Sequence, residues 1–171
     1  FTFAVLPWIF FFPKAKVPWC NLAAYGVLIG VGQFGVLYIA MGNQISPGLA
    51  SLVVQMQVFS TSGCAVLIAG VRIRGYQWAA LALAGLGLLW LITHAGGDVT
   101  PLGMGLVLFA ALSWGAGNTV ARSAGPVNML AYVVWASLFS FPPLFALAFI
   151  FEGWGAIRLG LQTADLATWA A

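Results

Sequence analysis

Five apolar runs, each about as long as a bilayer core is thick, follow one another with only short polar breaks between them. They cover 19–42, 48–70, 76–95, 102–121 and 128–151. Each approaches or exceeds the roughly 20 residues that carry a helix across a core of about 30 Å. Hydrocarbon offers no water to backbone N–H and C=O groups, so each run must bond its own backbone, and a helix does that. The expected fold class is all-α, a polytopic membrane helix bundle. Charged residues make up 5% of the chain and hydrophobic ones 63%, where a soluble domain carries about 25% charged. Helices this poor in polar faces cannot meet water, which removes the soluble all-helical alternative.

The breaks read Pro-Lys-Ala-Lys-Val-Pro at 13–18, Asn-Gln-Ile-Ser-Pro at 43–47, Val-Arg-Ile-Arg-Gly at 71–75, Gly-Gly-Asp-Val-Thr-Pro at 96–101 and Arg-Ser-Ala-Gly-Pro at 122–126. Gly closing one helix and Pro opening the next is the expected punctuation. A shorter run, 1–13, reads as the tail of a further helix. The chain starts inside that run and ends just after Asp165-Leu166-Ala167, an N-cap pattern that opens another helix. It is therefore expected to be a piece of a longer protein.

Basic residues set the expected orientation. Lys14 and Lys16, then Arg72 and Arg74, then Arg122 occupy alternate loops, and the loops between them hold none until Arg158. The positive-inside rule places the loops at 14–18, 71–75 and 122–126 in the cytoplasm and those at 43–46 and 96–101 outside. Trp8, Trp19, Trp78, Trp90, Trp135 and Trp154 lie mostly toward run ends, as interfacial aromatics do. A net charge of +3 from six basic and three acidic residues is too sparse to point to nucleic acid.

Polar side chains inside the runs carry the functional information. Gln33 falls near the middle of its run, with Gln55 and Gln57 in the next. At 100° per residue Ser51, Gln55 and Ser62 share one stripe, and Gln57, Ser60 or Thr61, and Cys64 share nearly the opposite one. A helix polar on both sides does not face lipid, so the 48–70 helix is expected to be central. Each amide alone fits interhelical hydrogen bonding as well as cavity lining, whereas three at similar depth favour a shared polar cavity. Ser113-Trp114-Gly115-Ala116-Gly117-Asn118 combines small residues that permit close approach with an aromatic wall. Gly26 and Gly30 form a GxxxG that reads as simple packing. Pro142-Pro143 predicts a kink and freed carbonyls.

Other chemistries find no support. Cys20 and Cys64 sit in different runs without a CxxC and read as small packed hydrophobes. His94 reads as an interfacial residue. Asp98, Glu152 and Asp165 all fall in loops or at run ends, so no carboxylate relay crosses these spans. No metal-ligand cluster, P-loop, acidic pair or Ser/His/Asp set is present. Neither a cofactor nor an enzymatic activity is expected.

Several of these stretches resemble the EamA family of the drug/metabolite transporter superfamily. The likeness runs through Pro13-Lys14-Ala15-Lys16-Val17-Pro18, from Tyr25-Gly26 to Gln33-Phe34, through Gly48-Leu49-Ala50-Ser51-Leu52-Val53-Val54-Gln55-Met56-Gln57, and from Ser113-Trp114 to Asn118. It covers nearly the whole chain, and the 47–57 stretch is its specific part. The resemblance implies ten helices in two inverted five-helix repeats around a cavity that opens alternately to each side. On that pattern 1–96 is most of the first repeat, from the end of helix 2 through helix 5. Residues 101–171 then begin the second, with helices 6 and 7 and the lead into helix 8. Helix 1 and helices 8 to 10 are absent, which implies that this piece alone does not transport. Family members commonly carry Gly-Glu-Arg where this chain has Gly70-Val71-Arg72, leaving Arg72 without that acid.

The function implied is export of small polar metabolites across the bacterial inner membrane, with amino acids of the cysteine or O-acetylserine type as substrates. The candidate binding residues are Gln33, Ser51, Gln55, Gln57, Trp114 and Asn118. Uncharged amides can hold a zwitterion and still release it. Ser51 stands one turn from Gln55 to support it, Trp114 supplies an apolar wall, and Asn118 lies along the inward path. The alternatives are an exporter of other amino acids or drugs and a membrane-assembly partner without transport activity. The expected partners are a small-molecule substrate and the lipid bilayer, and the pattern fixes no oligomeric state.

Overall fold

The computed structural model describes residues 13, 15–68, 70, 74–94 and 100–163. The expectations placed on 1–12, Lys14, Val71, Arg72, Asp98 and Asp165-Leu166-Ala167 lie outside the described residues. Five helical elements form, and no β-strand is found among the described residues. Helix α1 is α-helical over Trp19–Gly26, π-helical over Val27–Gly35 and α-helical again over Val36–Asn43. Helix α2 runs as Pro47–Val53, a 3₁₀ turn Val54–Met56 and Gln57–Leu67. Then follow α3, Gly75–His94, α4, Pro101–Ser123, and α5, Met129–Thr163. Among the described residues four stretches are long and apolar enough to cross a membrane: Trp19–Gly42, Pro47–Leu67, Pro101–Ser123 and Met129–Phe151. The fifth expected span is the 20-residue helix α3.

Helix ends follow the sequence punctuation. Ser46 and Thr100 are N-caps, each followed by Pro at the first helical position, where the missing N–H is not needed. The Gly103 N–H donates to Thr100 Oγ1 at 3.0 Å, and Asn128 Oδ1 accepts from the Leu130 and Ala131 N–H groups at 3.0 and 3.3 Å. Gly125, with φ +73°, turns the chain after α4. At Pro142-Pro143, the expected site of a kink and freed carbonyls, the backbone of α5 stays helical. The helix runs through both prolines, which deprive the carbonyls of Leu138 and Phe139 of their usual donors, and the non-helical backbone is at Gly153 (φ 75°, ψ 164°). The stretch Met129–Phe151 is of membrane length, and beyond Gly153 the helix continues to Thr163.

The helices pack as a row, with α1 between α5 and α4, and α4 between α1 and α2. Helix α3 lies along the open side of α2, where the Phe59 ring faces Gly85. Glycine sets the spacing. A Cβ on Gly26 would collide with the Ala136 carbonyl, and one on Gly30 would lie 2.5 Å from Ser140 Cβ. The GxxxG is thus the seat of α5 on α1, a packing role as expected. On the other side a Cβ on Gly32 would lie 2.6 Å from Ser113 Oγ, and one on Gly115 2.7 Å from the Ser60 carbonyl carbon.

The expectation that 48–70 is central is not met among the described residues. In α4, 39% of the membrane-length stretch is buried, against 11% in α2. Small residues explain this: Gly103, Ala110, Ala111, Ser113, Gly115 and Gly117 are all buried and let neighbours approach from both sides. Two clusters of buried side chains cap the row. At the end bearing Lys16 and Arg122, Ala15, Val17 and Leu22 meet Ala121, Tyr132 and Ala136. At the other, Ala40, Ile45, Ala50 and Val53 meet Val107. Apolar side chains elsewhere, such as Leu83 and Leu86 on α3 and Ile150 on α5, are exposed, as contact with lipid requires.

Candidate functional site

Between α1, α4 and α5 lies a cavity of 520 Å³, within the range of about 300–1,000 Å³ common for small-molecule sites. Tyr25, Ile29 and Phe34 of α1 form one wall, Trp114 of α4 a second, and Val133, Ser137, Ser140 and Leu144 of α5 the third. Its two serines are already occupied. Ser137 Oγ donates to the Val134 carbonyl and Ser140 Oγ to the Gly26 carbonyl, both at 2.7 Å. The second bond ties α5 to α1 just where Gly26 removes the side chain. The surface offered to an occupant is therefore mainly aromatic and aliphatic. A separate groove of 440 Å³ runs between α2 and α3, lined by Gln55 with Phe59 and Trp90 among its apolar neighbours.

The sequence candidates fall into two groups. Gln33 stands on α1 and Trp114 and Asn118 on α4, two helices that pack against each other. Gln33 is buried at 6% exposure, and its Oε1 has no hydrogen-bond partner among the described residues. Trp114 is half-buried in the cavity wall, and half-buried Asn118 follows one turn later on α4. On α2, Ser51 and Gln55 are exposed and Gln57 is half-buried. The Ser51 hydroxyl donates to the Gly48 carbonyl at 2.7 Å, within its own helix, rather than to Gln55. Gln55 and Trp114 line different cavities, and Gln33 and Gln57 line neither of these two. The three amides expected to share one cavity are thus not brought together in either.

Backbone irregularity marks the amides. Gln33 lies in the π-helical stretch of α1, and Gln55 lies in the 3₁₀ turn of α2. Both departures are forms that recur at functional sites and hinges. The 3₁₀ turn also advances the helix by about 120° per residue instead of 100°. Gln57 is thereby rotated by about 60° from the position that a uniform helix gives it relative to Ser51.

Comparison with known proteins bears on this arrangement. The sequence is similar to curated bacterial transporters. A protein of Escherichia coli (strain K12) named "Probable amino-acid metabolite efflux pump" is 37% identical over 175 residues, covering 98% of this chain and 58% of that protein. Its namesake in Salmonella typhimurium is 35% identical over 174 residues, again covering 98% and 58%. The "Uncharacterized inner membrane transporter YedA" of Escherichia coli (strain K12) is 28% identical over 117 residues, or 67% of this chain and 37% of that protein. The chain thus spans a little over half the length of the first two. No family model and no solved structure matches the chain.

Two residues that the sequence reading passed over stand out in the structure. Tyr132 of α5, fully buried, donates its hydroxyl to Asn21 Oδ1 of α1 at 2.6 Å. Asn21 Nδ2 donates in turn to Ser123 Oγ at 3.0 Å and to the Val120 carbonyl at 3.2 Å, both on α4. Their spacing held the signal: Asn21 and Tyr132 each lie about one turn inside a run, next to the basic breaks at 13–18 and 122–126. Two polar groups at matched depth on two spans are candidates for each other. The other candidates are local. His94 is exposed at the end of α3, stacked 4.5 Å from Trp90. Cys64 is half-buried, but Cys20 is exposed, so the expectation of two packed cysteines holds for only one of them. No group of three or more metal-ligating side chains forms among the described residues.

Proposed function

We propose that the chain is the larger part of a bacterial inner-membrane exporter of the drug/metabolite transporter type, moving small metabolites by alternating access. The observation that carries this reading is the similarity across 98% of the chain to relatives named as amino-acid metabolite efflux pumps. A helical membrane bundle with a ligand-sized cavity at its three-helix junction supports it. On this reading the chain is an EamA-family member, its two repeats divide near Pro101, and the end carrying Lys16 and Arg122 faces the cytoplasm. The whole transporter includes helices beyond this chain.

The proposed substrate contacts are Gln33, Ser51, Gln55, Gln57, Trp114 and Asn118. A buried amide oxygen without a partner is unfavourable by about 1–3 kcal/mol. Gln33 Oε1 is such an oxygen; it lines neither cavity here, and on this reading it meets an ammonium or N–H donor of the substrate in a conformation of the cycle that opens the space beside it. Trp114 gives the cavity an aromatic face for the substrate's side chain. Gln55 and Gln57 take part if helices outside this chain cover α2 and enclose the α2–α3 side.

Cysteine and O-acetylserine are the proposed substrates. The apolar lining of the 520 Å³ cavity favours a second reading, in which bulkier amino acids or drugs are the cargo. Counterflow of labelled solutes in liposomes containing the full-length protein separates the two. Exchange of cysteine or O-acetylserine supports the first reading, and exchange confined to aromatic or aliphatic solutes supports the second. No exchange of any solute by folded protein rejects the transporter reading in favour of an assembly role. Unchanged efflux by Gln57→Leu at normal expression removes Gln57 from the site.

A further inference from the structure

The geometry points to Asn21 and Tyr132 as a latch that closes the 520 Å³ cavity at the end of the bundle bearing Lys16 and Arg122. The inference rests on the alternating-access reading above. Three helices meet at this point, and side chains make the connections. Tyr132 reaches from α5 to Asn21 on α1 at 2.6 Å, and Asn21 reaches on to Ser123 Oγ and the Val120 carbonyl of α4 at 3.0 and 3.2 Å. Ser123 Oγ itself donates to that same Val120 carbonyl at 2.7 Å, which fixes the hydroxyl as an acceptor for Asn21.

The latch adjoins the cavity. Tyr25, one turn beyond Asn21, lines the cavity and sets its ring edge-on against Tyr132, with centroids 5.0 Å apart. Val133, the residue after Tyr132, lines the cavity too. Separating α5 from the α1–α4 pair at this level would part the two tyrosines and open the cavity toward this end.

The opposite end is held differently. There the Thr100 N–H donates to the Gln44 carbonyl at 2.9 Å, and the Thr100 hydroxyl lies 2.7 Å from Gln44 Oε1. Gly103 is pressed against the same backbone, where a Cβ would sit 2.5 Å from the Gln44 carbonyl oxygen. A backbone bond with no room for a side chain beside it holds α1 and α4 in register. Interhelical side-chain bonds in membranes are individually weak, so the Asn21 cluster can break and re-form within a transport cycle. The Gln44–Thr100 contact keeps α1 and α4 paired, and the Asn21 cluster is the breakable polar link from that pair to α5.

The test uses the full-length protein in sealed vesicles, with every native cysteine replaced by alanine and a single reporter, Ser137→Cys, in the cavity wall. A membrane-impermeant thiol reagent is applied to each side in turn. Tyr132→Phe, which keeps the ring and removes the donor, is expected to raise labelling from the Lys16/Arg122 side about threefold, a population shift of about 0.6 kcal/mol. Labelling from the other side should not rise. Asn21→Ala should act in the same direction, and the double variant should add little to either, because both break one connection. A merely loosened bundle would label faster from both sides, and that result overturns the latch. Side-selective labelling of the parent that neither variant alters overturns the latch alone. No labelling from either side in any variant overturns both the latch and the opening cavity.

Discussion

Helices α4 and α3 are made of similar material and are used in opposite ways. Both are about as long as a membrane span, at 23 and 20 residues, and both are rich in Leu, Ala and Gly. In α4 the small residues are buried, and Gly115 meets the backbone of Ser60 where a Cβ would lie 2.7 Å away. In α3 a Cβ on Gly85 would lie 3.8 Å from the Phe59 ring, an ordinary contact, and one on Gly87 would meet nothing within 4 Å. Grooves of 440 and 550 Å³ run between α3 and α2. Glycine content therefore does not by itself make a close crossing. What matters is whether the glycines fall on the face that a neighbour occupies, because lipid solvates an apolar face as well as another helix does.

The sharpest test of that contrast is the same substitution in both helices. Gly115→Leu should lower the stability of the full-length protein by about 3 kcal/mol, because the new side chain must displace the backbone of α2. Gly87→Leu should change it by no more than about 0.5 kcal/mol, since it grows into an open groove. Thermal unfolding in one detergent reads both. Equal losses would mean that α3 is as closely covered in the whole protein as α4 is here, and the contrast would disappear.

Gln33→Leu comes next and should move stability upward. A buried acceptor without a partner destabilises the fold, so replacing the amide by an apolar group of similar volume should stabilise by about 1 kcal/mol. Efflux should fall at the same time if the oxygen serves the substrate. A loss of stability instead would show that Gln33 is bonded within the whole protein, and it would leave the site without its proposed acceptor. Ser140→Ala should be milder still. It removes the 2.7 Å bond to the Gly26 carbonyl, and a single interhelical bond in a membrane contributes about 0.6 kcal/mol.

The sequence expressed the spans better than their neighbours. Run lengths and the Ser46-Pro47 and Thr100-Pro101 pairs marked helix starts, because a cap and a proline act on local backbone whatever lies beside them. The packing order was less legible. Counting polar stripes on 48–70 assumed a uniform 100° step, and the 3₁₀ turn at Val54–Met56 breaks that step. The same counting made α2 central, while burial went to α4, whose small residues carry no hydropathy signal of their own. Of the candidate site, Trp114 stands in the wall of the α1–α4–α5 cavity, while Gln55 lines the separate α2–α3 groove and Gln33 and Gln57 line neither. The Asn21–Tyr132 bond joins residues 111 apart in sequence, and periodicity along one run cannot report such a pairing.

The smallest expected effect tests the α3 side of the comparison most directly. Gln55 is exposed in the groove between α2 and α3, among Leu52, Val58, Phe59 and Trp90. If that groove stays open in the whole protein, Gln55→Leu removes an amide with no structural duty, and stability should change by less than about 0.5 kcal/mol. Efflux then isolates function: a fall at unchanged stability places Gln55 on the substrate path. A loss of more than about 1 kcal/mol would reveal an amide bonded to a helix outside this chain. In that case α2 is covered on both sides after all, and the row of helices seen here is one layer of a thicker bundle.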